Sequence, residues 1–282
     1  MKTGSFTGFD LEIRDPGIAW FQFNSPERLN GMTTSIKRDL IEAITQAQMD
    51  NNVRVLVFTG TGRAFCAGDD LKAYKGAQVG GEPLVDAIPP GHDNELGTYN
   101  GLRVISQKLN TTIRNLDKLT ICAINGVAIQ TGFSLALSCD FRIAADSARM
   151  GSATLRFGLL PDEGGQYLLV EAMGIAKTMD FLMRKKIVSA EEAHQLGLVH
   201  EVHPAAELEQ AAMAMATEFA NGPQVSMRLL KRSVYNAAEL SWDQSLDEIA
   251  AKTAISDHHT DAKEGVKAFH EKRDAAFNDW LN

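Results

Sequence analysis

Cysteine is scarce in this chain: Cys66, Cys122 and Cys139 are the whole set in 282 residues. An odd number, with no CxxC and no metal-ligand spacing, argues against a disulfide framework and for reduced thiols. No run of ~18 apolar residues occurs, so no membrane span is expected. The opening MKTGSFTGFDLEIRD has no apolar signal core, and a cytoplasmic location is the expectation. Basic residues are outnumbered, 28 Lys and Arg against 36 Asp and Glu, for a net charge of −8. That balance argues against a nucleic-acid surface, and any anionic ligand needs a local basic site. A Walker A loop, HExxH and GxSxG are all missing. Gly60-Thr61-Gly62 follows a strand pattern, but Phe65 stands where a dinucleotide fingerprint needs its third glycine. His200 and His203 flank a strand edge and read as solvated, so no metal site is expected.

What is present is ordinary globular composition, 44% hydrophobic and 23% charged, enough for one large domain or a domain with an appendage. Leu11–Phe23 reads as a hairpin or two strands about Asp15-Pro16-Gly17. Ile36, Leu40, Ile41, Ile44 and Ala47 place a helix over Thr33–Met49, with Thr33 or Thr34 as N-cap. Val53–Thr59 is a buried strand. Residues 72–98 hold five Gly and three Pro and predict a mobile loop. Tyr99–Leu116 is helical by spacing; Gln166–Met173 and Lys177–Arg184 are helical with a break at Gly174. Ser189 and Glu192 form a capping box for a short helix, and Leu198–Val202 suits an edge strand. Four helical segments then follow without strands: Ala205–Ala220, Gln224–Ala238, Trp242–Ser256 and Asp261–Trp280. An α/β core over 1–203 with a helical region over 204–282 is therefore expected.

The densest stretch is Leu119–Gly165. An apolar run ends at Asn125-Gly126; a short strand leads to Thr131-Gly132 and a small-residue helix; a second strand, Phe141–Ala145, precedes a loop closing on Pro161-Asp162-Glu163-Gly164-Gly165. Backbone N–H groups at a turn before a helix make a preset anion site. A carboxylate nearby, Asp162, completes a minimal kit for making and quenching an enolate. The competing reading of Asp162 is a helix cap, and that of Glu163 a charge at a helix start.

Arg63-Ala64-Phe65-Cys66-Ala67-Gly68-Asp69-Asp70-Leu71 resembles the AFxAGxDL motif of the crotonase (enoyl-CoA hydratase/isomerase) superfamily. Asn125-Gly126 through Asp140, Arg142-Ile143-Ala144-Ala145, the PxxGG segment and Glu264–Arg273 are similar to that family as well. The resemblance implies a crotonase fold, a spiral of repeated ββα units, with a C-terminal helical trimerisation region and a homotrimer or dimer of trimers. It implies an acyl-CoA substrate, with coenzyme A as part of that substrate and no separate cofactor. It also implies a thioester oxygen held between two backbone N–H groups. By position these belong to Asp69 and Thr131, each such donor being worth about 3 kcal/mol. Ala67, Gly68, Leu71, Gln130, Gly132 and Phe133 are the implied neighbours of the acyl thioester. Arg28, Lys72, Phe269 and Lys272 are the implied contacts to CoA.

The departures bear on the reaction. Hydratases of the family hold water between two glutamates; Ser134 and Thr154 stand at the matching positions here. The glycine turn has become Gln130-Thr131-Gly132. Leu160-Pro161-Asp162 resembles the variant of family isomerases with one acidic residue after the proline. An acyl-CoA isomerase with Asp162 as proton shuttle and Glu163 in reserve is the leading expectation. A hydratase or C–C hydrolase using Glu163, or His92 and Glu95, is the second. A non-catalytic acyl-CoA binder is the third.

Overall fold

The computed structural model describes residues 1–72, 79–86, 88 and 93–281. β1 (Gly4–Phe6), β2 (Phe9–Arg14) and β3 (Ile18–Phe23) form an antiparallel meander. The pair flanking Asp15-Pro16-Gly17 is as expected; β1, three residues long, is too short to leave a pattern. Phe9 stacks on Phe21 and Phe21 on Phe58, with centroids 6.2 and 4.8 Å apart, at the centre of the core.

Helix α1 (Thr34–Met49) starts at Thr33, whose hydroxyl accepts from the Ile36 N–H at 3.2 Å, satisfying one of the orphan donors of the first turn. Ile36, Leu40, Ile44 and Ala47 make its buried stripe. Lys37 and Asp39, beside that stripe, are buried too. The Asp39 carboxylate accepts from the N–H groups of Leu84 and Val85 at 2.8 and 3.1 Å. Part of the stretch expected as a mobile loop is thereby bonded to α1. Helical structure also resumes before Tyr99: α2 (Glu95–Gly101) runs through a π turn, Leu102–Ser106, into α3 (Gln107–Arg114).

From Val55 the chain traces one path three times. β4 (Val55–Gly60) leads to β5 (Ala64–Cys66), β6 (Leu119–Ile124) to β7 (Val127–Ile129), and β8 (Phe141–Ala145) to β9 (Arg149–Gly151). Two later strands, β10 (Ile187–Ser189) and β11 (Glu201–His203), complete the sheets. The first strand of each pair joins a seven-stranded sheet ordered β1-β2-β3-β4-β6-β8-β11; the second joins a four-stranded sheet ordered β10-β9-β7-β5. Within each sheet the repeated strands are parallel neighbours. A helix follows each pair: α2 with α3, then α4 (Thr131–Ser138), then α5 (Gly165–Met183). This is the repeated ββα spiral that the family resemblance implies, with a third turn that leaves no pattern because Arg149-Met150-Gly151 does not read as a strand. Gly174 breaks α5 at φ +77°, as expected. α6 (Ala190–Gln195) is capped by Ser189.

α7 (Leu208–Asn221) packs against β4, β6 and β8, and α8 (Gln224–Ala237), α9 (Trp242–Asp257) and α10 (Thr260–Glu271) continue beyond it. The last helix stops well short of Trp280. Lys272 takes a left-handed conformation, φ +55°, and the chain turns back. The turn is held by Arg273 on Glu264 and by the Asn278 N–H on Asp261.

Beside this helical layer Lys118 is almost wholly buried, its ammonium donating to the carbonyls of Ala47 and Asp50. Burial, with Arg228 adding and Asp50 opposing, pushes its pKa down to about 7. Above that value the folded chain binds fewer protons than the unfolded chain, whose lysine titrates near 10.4. Stability should therefore rise with pH from about 7 toward the ordinary lysine range. Urea unfolding at a series of pH values measures the slope, which Lys118→Met should flatten.

Candidate active site

The parallel register of the small sheet sets the site. Cys66 of β5 pairs with Ala128 of β7, and Asp69 and Thr131 each stand three residues further on. Gly68 turns the first segment with φ +105°. Met32 bridges Asp69: its N–H donates to the Gly68 carbonyl at 2.9 Å, and its carbonyl accepts from Asp70 N–H at 2.8 Å. In a parallel bridge that leaves the N–H of the central residue, Asp69, pointing to the opposite side. Thr131 opens α4, so its N–H is one of the orphan donors of a helix N-terminus. The Thr131 hydroxyl reaches the Asp69 carboxylate at 2.8 Å. The two residues expected to supply the oxyanion donors are thus tied side chain to side chain.

Behind them lies a buried ionic cluster. The Lys37 ammonium donates to Glu163 Oε1 at 3.0 Å and to Ser106 Oγ at 2.8 Å, and lies 2.8 Å from Asp69 Oδ1. Thr131 Oγ1 is 2.9 Å from Glu163 Oε1. Glu163 is 4% exposed, and its Oε2 has no hydrogen-bond partner among the described residues. Burial works against the Lys37 ammonium, but Glu163 and Asp69 outweigh it and raise its pKa. Burial raises the Glu163 carboxyl, and Asp69 adds to the rise, with Lys37 and the Thr131 hydroxyl opposing.

Two amides from α3 hold the Asp162-Glu163 backbone: Gln107 donates to the Asp162 carbonyl at 2.9 Å and Asn110 to the Glu163 carbonyl at 2.8 Å. α5 is capped by Gly164 at φ +92°, with no side-chain cap bond, so Asp162 does not serve as its cap. Asp162 is instead an exposed residue among those lining a cavity of about 840 Å³. Partial burial there raises its carboxyl pKa; Asp69 pushes the same way, and its own N–H and Lys37 oppose.

That cavity is lined by Ala67, Gly68, Asp69, Leu71, Gln130, Thr131, Thr154, Asp162 and Glu163, all expected, and by Lys37 and Ser106, which were not. Leu102, Ile105, Phe157, Leu159 and Leu160 give it an apolar wall. Gln130 occupies a glycine-like corner, φ +50° and ψ −109°, a strained setting for an L residue. Its Oε1 accepts from Ser152 Oγ at 2.9 Å, and Ser152 lies 3.3 Å from the Thr154 hydroxyl.

A second hollow of about 260 Å³, sharing the Gly68-Asp69 turn, is lined by Arg28, Arg63 and Lys72 together with Glu27, Asp69 and Asp70. Arg28 is paired with Asp70. Its loop hangs on Asn30, buried at φ +54°: Oδ1 accepts from Ser25 N–H at 2.9 Å, and Nδ2 donates to the carbonyls of Thr61 and Ala64 at 3.0 and 2.8 Å. Asn30→Ala orphans these groups and should destabilise the fold by about 2 kcal/mol, read as a lower urea midpoint with unchanged slope.

Several expected contacts are placed elsewhere. Phe133 is 2% exposed and stacks on Phe181, because the α4 face that carries it turns to the core. Gly132 lies tight against Cys66, and Ser134 lies close to Gly165; neither lines the cavity. Phe269 is 80% exposed near the end of α10, and Lys272 follows it on the surface; neither reaches the site within this chain. Glu95 starts α2 on the surface, and His92 lies outside the described residues. Among the described residues no group of three His, Cys, Asp or Glu is placed to hold a metal, and no helix is long and apolar enough to cross a membrane.

Lys37 was legible only as a polar residue next to Ile36 on an amphipathic helix, a position that reads as solvent-facing. Ser106, Gln107 and Asn110 leave no signal at all without the fold.

A family model described as enoyl-CoA hydratase/isomerase matches residues 14–85 and 90–280. The 1,2-epoxyphenylacetyl-CoA isomerase of Escherichia coli is 34% identical over 272 residues, covering 95% of this chain and 98% of that protein. The hydroxycinnamoyl-CoA hydratase-lyase of Pseudomonas fluorescens is 29% identical, covering 94% of this chain and 93% of that one. A crystal structure of an enoyl-CoA hydratase from Bacillus anthracis superposes with a TM-score of 0.86 at 28% identity, over 96% of this chain and 98% of that one. The spiral fold, the paired turns at Asp69 and Thr131 and these matches together place the chain in the enoyl-CoA hydratase/isomerase family.

Proposed function

We propose that the protein is an acyl-CoA isomerase that moves a double bond, or rearranges a ring, through a thioester enolate. The observation that carries this reading is the place of Asp162, a carboxylate among the residues that line the same cavity as the Asp69 and Thr131 turns. The two N–H groups receive the thioester oxygen as charge develops on it. Asp162 takes a proton from one carbon and returns it to another, for which a single group suffices. Coenzyme A enters as part of the substrate, and the hollow with Arg28, Arg63 and Lys72 is suited to its phosphates. Residues 204–282 serve as the oligomerisation region of a homotrimer or dimer of trimers, a role to which exposed Leu230, Val234, Trp242 and Phe269 are suited.

A hydratase or C–C hydrolase is the second reading, favoured by one observation: Glu163 puts another carboxylate in the cavity wall. Conversion of trans-3-hexenoyl-CoA in ¹⁸O-labelled water separates the two. Migration of the double bond without ¹⁸O in the product supports the isomerase; label in the product overturns it. Binding of this substrate and of a ring-bearing acyl-CoA without any change at the acyl carbons leaves a non-catalytic acyl-CoA binder.

A further inference from the structure

The hydrogens of the buried cluster do not balance if both carboxylates are ionised. Lys37 has three N–H donors, and its three neighbours within 3.0 Å are Glu163 Oε1, Asp69 Oδ1 and Ser106 Oγ. Thr131 Oγ1 lies 2.8 Å from Asp69 Oδ1 and 2.9 Å from Glu163 Oε1. A hydroxyl has one hydrogen to donate and otherwise accepts. Unless that one hydrogen is shared, a proton on one carboxyl is needed for both short contacts to be made. Two carboxylates against one ammonium would also leave a net negative charge in a largely buried site, which is unfavourable unless a proton is taken up.

We propose that Glu163, the Thr131 hydroxyl and Asp69 form a proton relay, levelled by Lys37, that connects a buried carboxyl in the cavity wall to solvent. Glu163 is the buried end at 4% exposure; the Asp69 side chain is 35% exposed and lines both the cavity and the outer hollow. In the resting state Glu163 donates to Thr131 Oγ1 and Thr131 donates to Asp69 Oδ1. In the transfer the Glu163 O–H bond breaks as a new O–H forms on Thr131, and the old Thr131 O–H breaks as one forms on Asp69. Thr131 is unchanged except that its hydrogen bonds reverse. One proton moves outward and one negative charge moves inward. Lys37 touches both carboxylates at similar distance, so it stabilises the charge at either end. The relay runs beside the two oxyanion turns, so it can reload Glu163 with a solvent proton while the cavity is filled.

The use of the relay in turnover rests on the isomerase reading; its existence does not. Infrared spectroscopy of the whole protein tests existence without substrate. A protonated carboxyl band at neutral pH is expected, lost in Glu163→Gln, displaced in Thr131→Val and restored in Thr131→Ser. Absence of that band in the unsubstituted protein overturns the relay. Its use is tested with trans-3-hexenoyl-CoA in heavy water, reading deuterium per molecule of product rather than rate. With Glu163 as a second proton donor to the product beside Asp162, deuterium content should fall in Thr131→Val and return in Thr131→Ser. Equal deuterium content in Thr131→Val and the unsubstituted protein overturns the use of the relay in turnover even if the rate drops, since lost packing would change rate and not label. If the double bond does not move at all, the double-bond-migrating form of the isomerase reading fails while the infrared result stands by itself.

Discussion

Asp162→Asn is expected to slow double-bond migration by about 10²–10⁴-fold, the usual contribution of a positioned acid–base group. Acyl-CoA affinity should change little, because the donors at Asp69 and Thr131 are backbone groups and the apolar wall is untouched. The loss should thus fall on kcat and on kcat/KM alike. The argument rests on position and on environment. Gln107 and Asn110 fix the loop from α3, and no helix cap occupies the side chain. Burial raises the carboxyl pKa, so the basic form is reached at higher pH than for a free aspartate. The acid limb of kcat/KM should accordingly be displaced upward from that of a free aspartate, with activity rising as pH rises through it. Asn has no such limb. A variant with near-normal turnover would remove Asp162 from the chemistry.

Gly132→Ala carries the second large effect, by a different route. An added Cβ at Gly132 would lie 2.2 Å from the Cys66 carbonyl oxygen and 2.7 Å from the Cys66 Cβ. Neither atom can swing away: one is backbone and the other is bonded to it. α4 must therefore retreat from β5, at a cost of about 3 kcal/mol. Thr131 is the adjacent residue and moves with it, away from Asp69. Losing one donor to a developing oxyanion costs about 10²-fold in turnover. Urea unfolding and steady-state rates on the same preparations read both effects. Gly126→Ala gives the comparison: its Cβ would meet the Arg63 carbonyl oxygen at 2.3 Å, at a turn that carries neither oxyanion donor. It should lose comparable stability with a much smaller loss of turnover.

The main elements of the fold were legible because their signals are local. Thr33 marks the start of α1, Gly174 breaks α5, and Ser189 caps α6, each for reasons contained in a few residues. The motif around Gly68 and the Thr131-Gly132 turn were legible for the same reason. What escaped is whatever depends on a distant neighbour. β9 exists because β7 offers it an edge, and Arg149-Met150-Gly151 has no alternation of its own to announce it. α10 ends at Lys272 because Arg273 and Asn278 find Glu264 and Asp261 behind them. Phe133 belongs to the core because Phe181 of α5 lies over it. Lys37 is the sharpest case. Its burial reverses the usual rule for lysine, and only carboxylates more than thirty and more than a hundred residues away account for it.

The register of β5 against β7 has a further consequence. Asp69 and Thr131 each stand three residues beyond the paired positions Cys66 and Ala128, so the interstrand spacing, about 4.8 Å, sets how far apart the two turns begin. The sheet acts as a ruler. Side chains at these two positions can change, as with the Asp and Thr here, without altering what the ruler measures. Reactivity can then drift from one acid group to another while the grip on the substrate oxygen stays constant.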